Sequence, residues 1–97
     1  MHFLTLSVVA LLMLAAHAAG AADHTGVLSV HHANCALCPP IVKRALEGVN
    51  GVKTVSVSDP DEKANVTATV IYDDAVASVP RLIAATTNAG YPAEMAQ

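Results

Sequence analysis

Tryptophan is absent from the 97-residue sequence, which has one phenylalanine and two tyrosines. So few aromatic side chains leave little for stacking against nucleic-acid bases. Charged residues make up only 13% of the chain and the net charge is −3, so electrostatics gives no argument for nucleic acid or an anionic membrane as a partner. The length allows one small domain and argues against an enzyme with a deep, enclosed pocket. The composition therefore favours a compact module whose chemistry lies at its surface.

The beginning of the chain has no Asp, Glu, Lys or Arg up to residue 22. Within it, Phe3–Ala16 is a predominantly apolar run, shorter than the roughly 20 residues of a membrane-spanning helix. Two Ala-x-Ala sequences follow, at 16–18 and 19–21, which is typical of a secretory signal peptide. We therefore predict a cleaved signal peptide over residues 1–21. The mature domain is then 22–97, with no stable membrane insertion after cleavage; a short membrane anchor is the alternative.

The pattern of apolar residues in the mature part predicts four strands and two helices. The strands are expected at 25–31, 52–58, 65–72 and 91–95. The first helix carries Val42 and Leu46 on one face, and it begins at Leu37 or later because Pro40 must fall among its first four residues. Ser78 is a candidate N-cap for the second helix, which is expected to end near Asn88.

The predicted order of elements is strand, helix, strand, strand, helix, strand. This order favours an α+β protein with a ferredoxin-like βαββαβ sandwich, in which two helices cover one face of a four-stranded antiparallel sheet. The residues expected in the core are Val30, Val42, Leu46, Val55, Val57, Val66, Val70, Leu82 and Ile83.

The two cysteines form the motif that carries chemistry, Cys35-Ala36-Leu37-Cys38. Thiolate sulfur is the preferred ligand of soft metal ions, and two thiolates suit ions such as Hg(II) and Cu(I) that accept linear coordination. Two ligands are too few for a closed tetrahedral zinc site. Cys38 lies at the predicted start of a helix, where unpaired N–H groups and the helix dipole favour an anion. In an exported protein the pair is also at risk of forming a disulfide, and a disulfide closing so short a loop is a poor structural staple.

The context of these cysteines resembles the heavy-metal-associated domain family. The matching segments are 35–39, 42–46 and 51–52 around the motif, and 72–74, 77–79 and 88–92 towards the C-terminus. The chain departs from the family pattern at three places. It has Ala33 where the family usually places a methionine, an additional proline at Pro40, and a longer hairpin around Asp59–Asn65.

The resemblance implies a binding protein rather than an enzyme, with Cys35 and Cys38 as the metal ligands and Tyr91 beside them without ligating. Exported members of the family that carry mercury collect Hg(II) in the periplasm and pass it transiently to an inner-membrane metal transporter. By this resemblance we expect a monomeric, periplasmic mercury carrier with no nucleic-acid partner.

Three questions stay open at the level of sequence. An exported Cu(I) chaperone would use the same fold and ligands, and a thiol–disulfide oxidoreductase would also place Cys-x-x-Cys at a helix start. His31 and His32 are a solvated pair at a strand end or, alternatively, auxiliary ligands. Lys43 and Arg44 are a solvated helix face or docking charges for an acidic partner.

Overall fold

A computed structural model of the chain describes residues 22–96. The elements are β1 (Asp23–Val30), α1 (Cys38–Glu47), β2 (Val52–Val57), β3 (Val66–Asp73), α2 (Val79–Asn88) and β4 (Ala93–Met95). Their order is the predicted one, and each strand begins and ends within two residues of its expected position. The predicted signal peptide lies outside the described residues. Within 22–96, no helix has the length and apolar content to cross a membrane.

The four strands form one sheet in the order β2-β3-β1-β4, with every neighbouring pair antiparallel. The central pair, β1 and β3, runs in register from Asp23 opposite Asp73 to Val30 opposite Val66. Side chains along β3 alternate between buried and more exposed positions, as a sheet covered on one face requires. Both helices pack against this face and against each other. The predicted ferredoxin-like sandwich is confirmed.

The start of α1 is compatible with two consecutive prolines. Pro39 and Pro40 follow Cys38, within the first turn, where backbone N–H groups have no partner inside the helix. From Cys38 onward every fourth residue is buried, through Val42 to Leu46, so the sulfur-bearing residue lies on the same stripe as the core. One face of α1 therefore carries both the buried cysteine and two residues of the core.

Seven of the nine expected core residues are buried, and two are not. Val57 and Ile83 are only partly buried against the core, so their assignment was wrong. Val57 ends the edge strand β2, and Ile83 lies at the margin of the stripe that buries Leu82 and Thr86. Six residues outside the expected core set are buried as well: Leu28, Ala33, Cys38, Ala68, Tyr72 and Ala77.

Gly51 provides a test of the turn between α1 and β2. Its φ is +92°, and an added Cβ would lie 2.8 Å from Val76 Cβ. Gly90 has a similar φ of +100° with nothing within 4 Å of the Cβ position. Both alanine variants incur the left-handed backbone penalty of about 1–2 kcal/mol, and only Gly51→Ala adds a steric clash, of about 1–3 kcal/mol. We expect a lower urea midpoint for Gly51→Ala than for Gly90→Ala; equal midpoints would show that the turn relaxes freely.

Candidate metal site

The two cysteines meet at the end of the domain where β1 leads into α1. Cys35 is exposed in the connecting loop, whereas Cys38 is the first residue of α1 and only 5% exposed. Their Cα atoms are 5.2 Å apart, and the two sulfurs are joined in a disulfide. The Cys38 N–H donates to the Cys35 carbonyl oxygen at 3.1 Å, which closes the turn between them. The residues predicted as ligands are thus adjacent, in their oxidised form, and two electrons and two protons would convert them to a pair of thiols.

The first turn of α1 differs from expectation in its hydrogen-bond donors. The N–H of Cys38 is already bonded to Cys35, and Pro39 and Pro40 have none. The next N–H, that of Ile41, donates to the Leu37 carbonyl oxygen at 3.1 Å. The predicted unpaired N–H groups are therefore not available from Cys38 to Ile41, because the prolines remove two of them and the turn uses a third. What remains to favour an anion at Cys38 is the dipole of the helix.

Tyr91 supplies a donor to the site from the opposite side. Its hydroxyl donates to Cys38 Sγ at 3.3 Å, and its backbone N–H is held by the Thr86 carbonyl oxygen at 2.8 Å. The loop between α2 and β4 therefore fixes the ring beside the buried sulfur. The resemblance placed Tyr91 near the metal loop, but the hydrogen bond to sulfur depends on a tertiary contact that no local sequence pattern indicates.

Replacing Tyr91 with phenylalanine should weaken soft-metal binding modestly and leave the fold intact. The ring still packs, and only the bond to sulfur is lost, which is typically worth about 0.5–1.5 kcal/mol. The expected loss of Hg(II) affinity is therefore roughly 2- to 12-fold in competition with glutathione. An unchanged affinity in Tyr91→Phe, with an unchanged urea midpoint, would show that the hydroxyl does not interact with the reduced sulfur.

The base of the metal loop is supported by the hairpin between β2 and β3. Ala33 is fully buried, and its N–H donates to the Ala64 carbonyl oxygen at 2.8 Å. The hairpin is held in turn by Asp61, whose Oδ1 accepts from the N–H groups of Asn65 at 2.9 Å and Lys63 at 2.8 Å. These two bonds hold the pKa of the Asp61 carboxyl below its usual value, and the bond from Asn65 has the larger effect. The hairpin thus reaches the metal loop at Ala33, the position where the resemblance leads us to expect a methionine.

The histidines near the loop have separate positions. His31 Nδ1 lies 2.8 Å from Asn65 Oδ1, and its Nε2 lies 3.1 Å from Glu94 Oε1. Both ring nitrogens of His31 are therefore used within the fold, which supports its interpretation as a strand-end residue. His32 is exposed with a φ of +62°, and Lys43 and Arg44 are exposed on α1. Across residues 22–96, no three His, Cys, Asp or Glu side chains come together as a possible metal cage.

A ferredoxin-like sandwich that presents Cys-x-x-Cys at the entry to its first helix defines a class of small metal-binding modules. The model of the heavy-metal-associated domain family matches residues 27–92, and the chain belongs to this family. The expectation of a carrier rather than an enzyme is confirmed by this membership, and the oxidoreductase alternative is not supported.

Individual members of the family resemble the chain over most of its length. The mercuric transport protein periplasmic component of Shigella flexneri is 44% identical over 77 residues, which cover 79% of this chain and 80% of that protein. The crystal structure of oxidised MerP from Ralstonia metallidurans CH34 superposes with a TM-score of 0.71 at 42% identity, covering 78% of this chain and all of that one.

Two further solved structures differ in the metal that their names record. Mercury-bound MerP, the periplasmic protein of the bacterial mercury detoxification system, has a TM-score of 0.65 at 45% identity and covers 78% of this chain and 100% of its own. A copper-binding domain of the P-type ATPase HMA7 has a TM-score of 0.67 at 27% identity, covering 75% of this chain and 93% of that domain.

Proposed function

We propose that the protein is a periplasmic mercury carrier that captures one Hg(II) between Cys35 and Cys38 and hands it to an inner-membrane transporter. The observation that carries the proposal is the sulfur pair itself, with Cys35 exposed on the loop and Cys38 anchored on α1. The relatives named as periplasmic mercuric transport components, at about 44% identity, support mercury as the cargo. The proposed role is in mercury detoxification, as for the mercury-bound MerP to which the chain is similar, and we propose that the protein acts as a monomer.

The donor set fits this cargo. Hg(II) is a soft ion that forms stable two-coordinate complexes with thiolates, and the described residues offer two sulfurs and no third clustered ligand. Binding requires the disulfide to be reduced first, and each thiol gives up a proton as it bonds the metal. A two-coordinate ion on an exposed loop leaves room for an incoming third sulfur, and this opening is what a transfer protein needs.

The surface around the loop suits transient contact with a transporter. Leu37 is 69% exposed and Ile41 is 42% exposed, so two large apolar side chains lie at the surface close to Cys38 in the sequence. Together with Pro40, Arg44 and Ala45 they line an open groove that includes Leu37, the residue directly before Cys38. An apolar patch that carries one basic residue, Arg44, fits a partner whose metal-binding cysteines lie among apolar and acidic residues.

Export is part of the same proposal. Strand β1 begins at Asp23, two residues after the second Ala-x-Ala sequence ends at Ala21. Cleavage after Ala21 would therefore leave every strand and helix of the described residues 22–96 intact. The relatives' description as periplasmic components supports this location.

A Cu(I) chaperone is the second candidate, because a copper-binding domain shares the fold at 27% identity. The deciding experiment is an equilibrium competition of Hg(II) and Cu(I) for the reduced protein in one glutathione buffer. For a mercury carrier, Hg(II) should displace Cu(I) from the sulfur pair, and a strain lacking the gene should be more sensitive to mercuric salts but not to copper. Copper sensitivity alone would assign the chain to copper.

A further inference from the structure

The other end of β1 carries a second group of potential metal ligands, formed by the first three residues of the mature chain. Under the proposed cleavage after Ala21, these residues are Ala22, Asp23 and His24. All three are exposed. His24 belongs to none of the sequence motifs described above, and the sulfur site does not use it.

One carboxylate holds both ends of this tripeptide. Ala22 N lies 3.3 Å from Asp74 Oδ1, and His24 Nε2 lies 3.0 Å from Asp74 Oδ2. The Asp74 N–H returns a bond to the Ala22 carbonyl oxygen at 3.2 Å. The nitrogen that becomes the free amine and the imidazole two residues later are therefore gathered at the same side chain.

A free amine followed two residues later by histidine can surround a metal with four nitrogens. The amine, the amide nitrogens of Asp23 and His24, and His24 Nδ1 close two five-membered chelate rings and one six-membered ring in a plane. Square-planar nitrogen ligation selects Cu(II) and Ni(II) among the common divalent ions. The amide nitrogens bind only after losing their protons, so binding releases two amide protons and the ammonium proton to solvent, with no change of oxidation state.

The bond to Asp74 sets the tautomer that this chelate needs. A carboxylate only accepts hydrogen bonds, so the hydrogen of the neutral His24 ring is on Nε2. The lone pair is then on Nδ1, the nitrogen that can close the six-membered ring. In known metal sites, a carboxylate that accepts from the other ring nitrogen orients the histidine ring and strengthens it as a ligand.

The chelate can form with little damage to the fold. Wrapping the amides around a metal must release the pairs Asp23 with Asp73 and His24 with Tyr72. The pairs from Thr25–Ile71 to Val30–Val66 are untouched and keep β1 in the sheet. Since β1 has eight residues, about 26 Å at the usual rise separates this site from the loop that carries the cysteines.

We infer that the mature protein has a second metal site at its N-terminus, where Ala22, Asp23 and His24 bind Cu(II) or Ni(II) through four nitrogens and Asp74 positions the imidazole. The inference rests on the cleavage position in the proposed function, but not on mercury binding. The two sites differ in ligands, in the oxidation state of copper that they accept and in location.

The test uses the full chain exported from its own leader and purified with the disulfide intact, so that no thiol reacts with Cu(II). The N-terminal mass is measured first, and a mature chain that begins anywhere but Ala22 overturns the inference. Cu(II) sulfate is then titrated against glycine as a competing chelator, followed by visible absorption and electron paramagnetic resonance. One Cu(II) per chain with the signature of four equatorial nitrogens is the expected result.

Three variants separate this site from adventitious histidine binding. His24→Ala, and a single glycine inserted between Ala22 and Asp23, should each lower Cu(II) affinity by roughly 10²–10⁴-fold, because the chelate loses its closing ring or its spacing. Asp74→Asn should lower it about 10- to 100-fold. The matched control His32→Ala should change nothing, and a glycine insertion that retains the four-nitrogen signal would refute the site.

A variant with both Cys35 and Cys38 changed to serine distinguishes a failure of the N-terminal site from a failure of the mercury proposal. It should lose Hg(II) and retain Cu(II) at full affinity. Loss of Cu(II) in this variant, with its fold intact by circular dichroism, would show that the sulfurs hold the copper and would overturn the N-terminal site. Normal Cu(II) binding together with no Hg(II) binding by the reduced wild-type protein would refute the mercury proposal alone.

Discussion

Changing either Cys35 or Cys38 to serine is expected to remove nearly all of the Hg(II) that the reduced protein retains against glutathione. With both sulfurs in place, the second bond forms within one molecule at a high effective concentration. With one sulfur the ion is held at a single point, and free thiols in excess replace the protein. The expected loss of competitive affinity is roughly 10²–10⁴-fold for each variant. Metal is counted in the protein fraction after desalting.

The matched control for this experiment is His32→Ala, since His32 is exposed in the same loop and is not bonded to the sulfurs. It should retain Hg(II) like the unaltered protein, because imidazole is a harder ligand and the two-sulfur site is already complete. A loss in His32→Ala as large as in a cysteine variant would replace the two-sulfur site with a mixed cysteine–histidine site. Equal retention by all variants would exclude the sulfur pair as the binding site.

Leu46→Ala should destabilise the domain by about 2–5 kcal/mol, the usual range for removing a large buried side chain. Leu46 is fully buried and is one of the largest side chains in the core. A small domain has only about 5–15 kcal/mol of stability in total, so this variant is expected to lose a large fraction of its free energy of unfolding. The measurement is the free energy of unfolding from urea titration of the disulfide form.

Ile41→Ala is the control on the same helix. Ile41 is 42% exposed, so its truncation should cost about 1 kcal/mol or less. Similar midpoints for the two variants would mean that α1 does not bury the stripe from Cys38 to Leu46. If Leu46→Ala also lost Hg(II) below its unfolding transition, the packing of α1 would be shown to position Cys38.

The sequence was sufficient for the fold because alternation in β3 and the helical stripes of α1 and α2 are strong local signals. It failed where burial depends on the position of an element in the assembled sheet. Val57 has the right residue type and the right face, but it ends an edge strand, whereas Ala33 and Ala68 are buried by neighbours distant in sequence. Residue type and alternation predict which side faces inward, but not how deeply that side is covered.

The candidate site was predictable to the same degree. The spacing of Cys35 and Cys38 indicated the pair, but the surroundings of Cys38 were misjudged. The prolines that were used to locate the helix start also remove donors from its first turn, and the hydroxyl of Tyr91 provides one from 53 residues away. The role of Asp61 and the hairpin could not be foreseen, because it depends on the contact between Ala33 and Ala64.

The unequal exposure of the two sulfurs gives the chemistry at this loop a direction. An incoming thiolate can approach Cys35 from solvent, whereas Cys38 is covered by the core and by Tyr91. Reduction of the disulfide should therefore begin with a mixed disulfide at Cys35 and the departure of Cys38 as the leaving thiolate. Because such exchanges are faster when the leaving thiolate is more stable, the hydroxyl that donates to Cys38 should speed this departure. The rate at which the disulfide is reduced, which makes the sulfurs available for metal, would then depend on Tyr91, although Tyr91 contacts the leaving sulfur and not the attacking thiolate.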